Sequence, residues 1–331
     1  MNKLIIAIIA ALAVVGAVHY INSEQAAPVR FMQVNNIDSA WTHWKQANGK
    51  TYGTSTEESY RKSVFVTSYH YVSSTNESQT SYRLAVNKFA DMTKDEFRAQ
   101  YLGLKQKLSA TKKNEVAAPV ASSDSVDWRG SKVTGVKDQG QCGSCWAFST
   151  TGGLEGFYAG ANGTLESFSE QQLMDCSGSY GNQSCNGGLM DDAYAYVKDS
   201  GLGSESAYPY TARDGSCRST STVVRINSYA DVPASDAGLA NAVAITPVSV
   251  AIDANPIQFY SSGIYNNWNC GNSLDHGVLA VGYGSENGQD YWIVKNSWGA
   301  SFGESGYFRL ARRSYGVGMC GITMQASYPT A

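Results

Sequence analysis

The hydrophobic and polar positions follow different periods in two parts of the chain. Upstream, one stripe of side chains recurs at intervals of four, four, three, four and four residues, which places it on one face of an α-helix. The stripe consists of Glu57, Arg61, Phe65, Ser68, Val72 and Asn76. Downstream, short apolar runs separated by Gly, Asn and Ser predict β-strands. These runs lie at 248–252, 278–283, 291–295 and 307–311.

A buried helix is predicted at the start of the downstream region. The apolar run that begins at Cys145 follows Ser144, a residue type that caps helix N-termini. We therefore expect the helix to begin at Cys145, with Ser144 as its cap.

The first residues have the pattern of a secretory signal peptide. Met1-Asn2-Lys3 precedes an apolar run of 15 residues, Leu4–Val18, with small residues near its end. Because a membrane-spanning helix needs roughly 20 apolar residues, the run predicts a signal peptide at 1–17 and no stable membrane insertion. The stretch 109–125, composed largely of Ala, Ser, Lys and Val, predicts an exposed linker.

Composition and charge are those of a globular protein of the secretory route. The 331 residues carry a net charge of -3, which gives no electrostatic footprint for nucleic acid. Export leads into an oxidising compartment, where cysteines pair. The chain has seven cysteines, and an odd number predicts either an intermolecular link or one free, reactive thiol.

Two of the cysteines, Cys142 and Cys145, lie three residues apart, a spacing that two chemistries share. One is a redox dithiol, and the other is a disulfide cysteine beside a nucleophilic one. A nucleophilic thiol needs a base, and His276 is the single histidine downstream of the linker. It follows Cys145 by 131 residues (276 minus 145), and Asn296 follows Cys145 by 151 residues (296 minus 145).

Several short motifs run through the downstream region in a fixed order. They are Val126-Asp127-Trp128, Cys142-Gly143-Ser144-Cys145-Trp146, Ser169-Glu170-Gln171-Gln172-Leu173-Met174-Asp175-Cys176, Cys185-Asn186-Gly187-Gly188, Leu274-Asp275-His276-Gly277 and Asn296-Ser297-Trp298-Gly299. In this order, and with this spacing of Cys, His and Asn, the sequence resembles the papain family of cysteine proteases, and in particular its cathepsin L-like branch.

The resemblance implies an α+β, papain-like two-lobed fold preceded by a helical propeptide. A helical left lobe and a β-barrel-like right lobe would flank an active-site cleft. The implied division is a signal peptide at 1–17, an inhibitory propeptide and linker at 18–121 with a helical core at 38–98, and a peptidase domain at 122–331. An endopeptidase is expected, because the chain lacks the two-histidine insertion of cathepsin B-like exopeptidases.

The same resemblance gives each catalytic position a role. Cys145 is the nucleophile, placed at a helix N-terminus where the dipole favours a thiolate. His276 pairs with it as general acid and base, and Asn296 orients the imidazole. The side-chain amide of Gln139 and the backbone N–H of Cys145 form the oxyanion hole.

A further set of residues is implied for the substrate cleft. Gly187 and Gly188 let an extended peptide pair with the backbone. Trp298 shields the catalytic pair, and Gln325 forms the floor of a mostly apolar specificity pocket, for which we expect Leu or Phe with tolerance of polar side chains. The full set is Gly187, Gly188, Leu189, Met190, Ala251, Leu274, Asp275, Gly277, Trp298, Phe302 and Gln325.

Two positions depart from the family pattern. Phe302 stands where a second Trp is usual on the leaving-group side, and Asp138 replaces a common Asn beside Gln139. Both changes concern the surroundings of the predicted site and leave its catalytic residues intact.

The six cysteines other than Cys145 allow 15 pairings from sequence alone. The resemblance implies three pairs, Cys142 with Cys185, Cys176 with Cys217, and Cys270 with Cys320. Two rival interpretations are a thiol-disulfide oxidoreductase that uses Cys142 and Cys145, and a catalytically silent binding relative.

The upstream helix resembles the inhibitory propeptide signature of the family, with Ser68 and Val72 where Asn and Ile are usual. A second propeptide motif follows, with Ala85 in place of Gly. The matched positions are Glu57, Arg61, Phe65, Asn76, Asn87, Phe89 and Asp91. The resemblance implies a zymogen whose propeptide lies through the cleft in the unproductive direction until acid weakens its salt bridges, with cleavage near Ser122.

The expected partners are protein and peptide substrates, the chain's own propeptide and cystatin-type inhibitors. No cofactor, metal or nucleic acid is implied, and a monomer is expected. The expected location is a lysosome, a digestive vacuole or the extracellular space. Sequons at Asn76, Asn162 and Asn182 are candidate glycan acceptors.

Overall fold

The computed structural model describes residues 37–105, 120, 123–267, 269–313 and 316–331. The predicted signal peptide at 1–17, most of the linker at 109–125 and the predicted cleavage site near Ser122 lie outside these described residues. Two units make up the chain, residues 1–51 and 52–331.

The first unit contains helix α1, Ile37–Ala47. Trp41 and Trp44, three residues apart, lie on one face of this helix, and their rings stack with centroids 5.3 Å apart. The ammonium groups of Lys45 and Lys50 lie over these two rings, each 5.4 Å from a centroid. The helix is therefore organised around an aromatic pair with cation–π contacts.

The second unit opens with helix α2, Ser55–Ser78, which carries the predicted stripe. Thr54 caps the helix by accepting a hydrogen bond from the backbone N–H of Glu57. Phe65, Ser68 and Val72 are buried on the predicted face. Across the described ranges, no helix is both long and apolar enough to cross a bilayer.

A short strand and a third helix fold back along α2. Strand β1 is Tyr82–Leu84, and its last residue exchanges two hydrogen bonds of 2.9 Å with the side chain of Asn76. Helix α3, Lys94–Tyr101, begins with a capping box formed by Thr93 and Glu96. Arg61 of α2 donates to the carboxylate of Glu96 at 2.8 Å, which ties α3 to α2.

Helices dominate the next part of the chain. Four α-helices and strand β2 are found here: β2 Val126–Asp127, α4 Cys145–Asn162, α5 Glu170–Cys176, α6 Met190–Ser200 and α7 Asp236–Val243. Short 3-10 helices lie at Gly178–Tyr180, Ser184–Asn186, Asn255–Ile257 and Met319–Gly321. The long helix α4 is buried along most of its length, as its apolar start predicts.

The last part of the chain forms a sheet. Its strands are β3 Ser228–Asp231, β4 Val248–Ile252, β5 Tyr260–Tyr265, β6 His276–Glu286, β7 Gln289–Lys295, β8 Tyr307–Ala311 and β9 Ala326–Thr330. The order is β1-β5-β8-β7-β6-β4-β9-β3, with β2 paired to β6, and only β5 and β8 run parallel among these pairs. The predicted strands are all present, and those at 278–283 and 291–295 extend further than their apolar runs.

Three disulfides fix the loops between these elements. They join Cys142 to Cys185, Cys176 to Cys217, and Cys270 to Cys320, the same pairs that the resemblance implies. All seven cysteines are described, and Cys145 alone is free. A redox dithiol between Cys142 and Cys145 is excluded in this state because Cys142 is already paired.

Candidate active site

The free thiol of Cys145 lies at the first residue of α4 and is fully buried. Its sulfur accepts a hydrogen bond of 3.3 Å from the backbone N–H of Gly277. Burial raises the thiol pKa to about 11, and the nearby Asp275 carboxylate adds to this, while backbone N–H groups oppose it. The prediction that the Ser144 side chain caps the helix was wrong: its hydroxyl makes no capping bond and instead meets Tyr210.

His276 begins strand β6, and Asn296 directly follows the neighbouring strand β7. The imidazole Nε2 lies 2.9 Å from the Asn296 side-chain oxygen. The other ring nitrogen, Nδ1, is buried and makes no hydrogen bond with any described residue. Burial lowers the His276 pKa to about 4, although the bond to Asn296 works in the opposite direction.

Gln139 lies in the loop before α4, and each of its polar groups makes a hydrogen bond. Its side-chain nitrogen donates to the backbone oxygens of Tyr101 at 3.0 Å and Cys142 at 2.9 Å. Its side-chain oxygen accepts from the hydroxyl of Ser297 at 2.7 Å, and its backbone N–H donates to the Ser297 carbonyl at 2.8 Å. The amide is thereby fixed, with its N–H groups bonded to these two backbone oxygens.

An upstream segment, residues 101–105, lies against Gln139 and pairs with Gly188. The backbone N–H of Gly188 donates to Gly103 at 3.0 Å, and the N–H of Lys105 donates to the Gly188 carbonyl at 3.1 Å, a parallel bridge. Leu104 adds a bond of 3.0 Å to the carbonyl of Asp275. A Cβ on Gly103 would collide with the carbonyl of Gly143, so a side chain at this position does not fit.

The Leu104 side chain enters an apolar cluster that contains the predicted pocket. Leu189, Met190 and Ala251 are buried in this cluster, and Leu274 packs against it. Gln325 donates no side-chain hydrogen bond to any described residue although its amide nitrogen is buried. The sulfur of Met190 would lie 3.2 Å from a Cβ on Gly277, which places Gly277 at the same wall.

Asp275, between the pocket and His276, is a buried carboxylate with three partners. It accepts hydrogen bonds from the backbone N–H of Ala254 at 2.8 Å and from the side chain of Asn255 at 2.5 Å. Arg98 of α3 reaches it at 3.4 Å. Burial raises the Asp275 pKa to about 6, against the opposing effect of Ala254 and Arg98.

An aromatic cluster covers one face of the His276 imidazole. Trp298 is fully buried and stacks on the imidazole of His276, with centroids 4.7 Å apart. Phe302 lies edge-on to Trp298 at 4.8 Å, and the upstream residues Phe89 and Phe97 do so at 5.5 and 5.2 Å. Trp298 therefore separates the bond between His276 and Asn296 from solvent.

Comparison with known families agrees with this arrangement. The family model described as papain family cysteine protease matches residues 122–330, and the cathepsin propeptide inhibitor domain matches residues 41–97. The chain belongs to the papain family. Its upstream region is accordingly a cathepsin-type propeptide inhibitor domain, which supports intramolecular inhibition of the peptidase part.

Relatives of this papain-family chain are similar over nearly its whole length. It is 47% identical over 307 residues to digestive cysteine proteinase 2 of Homarus americanus, covering 88% of this chain and 94% of that relative. It is 47% identical over 311 residues to probable cysteine protease RD21B of Arabidopsis thaliana, covering 90% of this chain but just 66% of that relative. The chain thus spans slightly less than two thirds of the Arabidopsis relative.

Solved precursor structures share the fold. Digestive procathepsin L 3 of Tenebrio molitor larval midgut superposes with a TM-score of 0.81 at 45% identity, covering 89% of this chain and 99% of that one. The predicted α+β papain-like fold with a helical propeptide is therefore confirmed.

In the papain-family precursor, burial favours the uncharged forms of the thiol and the imidazole. It raises the thiol pKa to about 11 and lowers the imidazole pKa to about 4. The propeptide reaches the thiol through the backbone of Gly103, whose hydrogen bond works against the raised pKa. The closed state thus disfavours an ion pair between the two groups.

The structure brings the residues predicted for the papain-type site into one region, and it adds others that sequence reasoning missed. Tyr101, Gly103 and Leu104 lie in the cleft, and Tyr210 and Ser297 hold Gln139. The Tyr-Leu-Gly-Leu run just before the linker was the one available signal for the cleft segment, because its apolar residues and glycine are unusual beside an exposed linker. Nothing in the local sequence indicates that Tyr210 or Ser297 contacts Gln139.

Proposed function

We propose that this chain is the self-inhibited precursor of a cysteine endopeptidase in which Cys145 is the nucleophile and His276 its acid and base. One observation carries the proposal. The sulfur of the single free cysteine contacts the backbone N–H of Gly277, the neighbour of a histidine whose far nitrogen is held by Asn296. These contacts bring a nucleophile, a base and an orienting group into one region, which supports a role in acyl transfer.

Removal of the propeptide would activate the pair. Water would then reach both groups, so the desolvation that raises the thiol pKa and lowers the imidazole pKa would decrease. The N-terminus of α4 would favour the thiolate, and Nδ1 of His276, the nitrogen not used by Asn296, would take the thiol proton. The product is the thiolate–imidazolium pair of the active enzyme.

Acyl transfer follows from this pair. The thiolate attacks the carbonyl carbon, and the negative charge that develops on oxygen is stabilised by the Gln139 amide and the Cys145 backbone N–H. Collapse breaks the C–N bond, and the amine leaves with the proton of His276. Water then attacks the thioester while His276 takes its proton, and the C–S bond breaks to release the acid and restore Cys145.

The main specificity pocket would accept Leu or Phe at the residue before the scissile one. Support comes from Leu104 of the propeptide, whose side chain joins the cluster of Leu189, Met190 and Ala251. The buried, unpaired amide nitrogen of Gln325 would tolerate a polar side chain by donating to it. Cleavage of a peptide library tests this, and a strict preference for acidic residues would contradict it.

Acid would release the propeptide. Among the described residues, two ion pairs link it to the peptidase part: Arg98 with Asp275 at 3.4 Å, and Lys88 with Asp138 at 2.9 Å. Arg98 lowers the Asp275 pKa against the larger effect of burial, so the attraction between the two groups is lost as Asp275 takes a proton below about pH 6. Cleavage in the linker near Ser122 would then free a peptidase of residues 122–331, about 23 kDa of the 35.6 kDa chain.

Acid treatment of the purified chain tests the proposal. Incubation at pH 4.5 with a reductant should yield the smaller form and cleavage of a Leu- or Phe-containing peptide, and Cys145→Ala should abolish that activity. One cysteine should react with a thiol alkylator without prior reduction. A folded, acid-treated chain that cleaves no peptide would instead support a catalytically silent relative.

We further propose a monomeric enzyme of the secretory route, in a lysosome, a digestive vacuole or the extracellular space, with protein and peptide substrates and cystatin-type inhibitors. The relatives named as digestive proteinases support the digestive or extracellular setting. Gel filtration of the processed form tests whether it is a monomer. Titration of its activity with a cystatin tests inhibition by this class of protein.

A further inference from the structure

The loop from Gln139 to Cys145 carries both donors of the proposed oxyanion site. The first donor is the side chain of Gln139, and the second is the backbone N–H of Cys145, which follows Ser144. The Cys142–Cys185 disulfide anchors the middle of this loop. Its two ends meet one side chain from a distant part of the chain, Tyr210.

The hydroxyl of Tyr210 bridges the two ends. It donates to the backbone oxygen of Gln139 at 2.7 Å and lies 2.6 Å from the hydroxyl of Ser144. A phenol has one proton, and the carbonyl of Gln139 can only accept. The proton on Tyr210 therefore points to Gln139, and Ser144 donates its own proton to Tyr210 at 2.6 Å in preference to the backbone oxygen of Cys142, which is 3.5 Å away.

Tyr210 is itself held in place by contacts that do not involve this hydroxyl. Its ring lies edge-on to Phe148 of α4 with centroids 4.8 Å apart, and its backbone N–H donates to the Glu205 carboxylate at 2.8 Å. Burial raises its pKa above the ordinary tyrosine range, so the phenol remains a donor at all working pH values. The ring is thus fixed independently of the bridge.

We infer that Tyr210 is a positioning residue of the oxyanion site, whose hydroxyl fixes the distance between the Gln139 amide and the Cys145 backbone N–H. The inference rests on the proposed function. Oxyanion donors act only when they are held within a few tenths of an ångström of the position where charge develops. A bridge from the residue of one donor to the neighbour of the other supplies that constraint.

The Tyr210→Phe variant removes the hydroxyl and leaves the ring contact with Phe148. The acid-processed enzyme is titrated with an irreversible thiol inhibitor, and kcat is expressed per titrated site. We expect kcat for an amide substrate to fall about 3- to 10-fold, the effect of losing one hydrogen bond that holds the oxyanion donors in place, with KM changed less than 2-fold. Alkylation of Cys145 by iodoacetamide needs no oxyanion hole, so its rate should stay unchanged.

Tyr208→Phe is the matched control. It removes a hydroxyl that donates to Asp175 and to the backbone of Ser216, and kcat per titrated site should stay at the wild-type value. A structural effect alone would lower the titratable fraction in either variant and leave kcat per site unchanged.

Each remaining outcome decides between the two proposals. An inactive wild-type enzyme contradicts the proposed function, whereas an active wild type with unchanged kcat per site in Tyr210→Phe contradicts the positioning role alone. An equal fall in the alkylation rate of Tyr210→Phe would also contradict the positioning role. So would an equal fall in kcat per site in the Tyr208→Phe control. If Tyr210→Phe does not fold, Ser144→Ala interrupts the same bridge from its other end and is judged by the same readouts.

Discussion

The side-chain amide of Gln139 donates to the backbone oxygen of Tyr101 at 3.0 Å. A propeptide carbonyl therefore occupies the donor that we assign to the oxyanion of the reaction. The contact lies at the end of α3, where the chain turns into the cleft and pairs with Gly188. Inhibition thus includes occupation of a catalytic donor as well as steric cover of the thiol.

Gly103→Ala should weaken inhibition by the propeptide. The added methyl group collides with the carbonyl of Gly143, so the segment has to lift from the cleft. We expect at least a 10-fold increase in activity of the unprocessed chain at neutral pH, measured on a small peptide before any cleavage is visible on a gel. The control Gly53→Ala adds a methyl group with ordinary contacts to the same propeptide. Equal activity in the two variants would show that the close passage at Gly103 is unimportant.

Arg98→Gln should speed processing above pH 6 and have no effect at pH 4.5. Asp275 is ionised above its pKa of about 6 and attracts Arg98 there, whereas below that pH it is protonated and the pair is already lost. Because Arg98 is half exposed, we expect the pair to contribute only about 0–1 kcal/mol, or up to roughly 5-fold in rate at pH 7. Processing rates at the two pH values measure the effect. A larger effect at pH 4.5 than at pH 7 would contradict this assignment.

Glu205→Gln should stabilise the protein at pH 7.5 but not at pH 4.5. Burial, and then the charge of Glu170, raise the Glu205 pKa to about 7, and a hydrogen bond between the two carboxyl groups, which requires a proton on one of them, works in the same direction. A raised folded-state pKa gives stability that is complete below the ordinary Glu value near 4.3 and is lost as pH rises through 7.

Glutamine is a neutral substitute for the protonated acid, so it removes this loss. We expect a gain of about 1 to 2 kcal/mol at pH 7.5, measured by thermal unfolding in a Cys145→Ala background that prevents processing. The exposed Glu77→Gln serves as the control. A gain of equal size at both pH values would contradict the titration of Glu205.

Lys137→Met should destabilise the peptidase part strongly. The ammonium group lies between the buried carboxylates of Glu155 and Glu170, at 2.8 and 2.6 Å. Its removal takes away the cation in contact with both carboxylates and leaves the more distant charge of Lys295. We expect a loss of about 3–5 kcal/mol in the free energy of unfolding. Urea unfolding measures the loss, with the exposed Lys94→Met for comparison. A loss below about 1 kcal/mol would show that the carboxylates are neutralised in another way.

Of the three sequons, we expect a glycan only on Asn162. Asn182 is buried and bonds Ser177 and Leu189, and Asn76 holds both backbone groups of Leu84, whereas Asn162 is exposed at the end of α4. Peptide N-glycosidase should therefore shift the mobility of the protein when it is expressed through the secretory route, and Asn162→Gln should abolish that shift. A shift that persists in this variant would show that a second sequon is used before folding.

The sequence predicted those features that depend on local period and on residue identity. The spacing of the α2 stripe follows from helix geometry. The odd number of cysteines predicted a free thiol or an intermolecular link, and the resemblance to the papain family assigned the free thiol to Cys145. By contrast, the partner of Ser144 could not be predicted. A serine before an apolar run normally caps the helix, but here Tyr210, 66 residues downstream, offers its hydroxyl a better partner.

Strand β1 of the propeptide pairs antiparallel with β5, whose other side pairs with β8. Gly263 of β5 lies so close to β1 that a Cβ there would be 2.5 Å from the carbonyl of Ser81. Removal of the propeptide would therefore turn an interior strand into an open edge, where the backbone groups of β5 that pair with β1 would hydrogen-bond to water instead. The exposed edge of β5 would then be open to pairing with another extended segment. Such a segment would compete with the propeptide for the same edge, which lies far from Cys145 in the sequence.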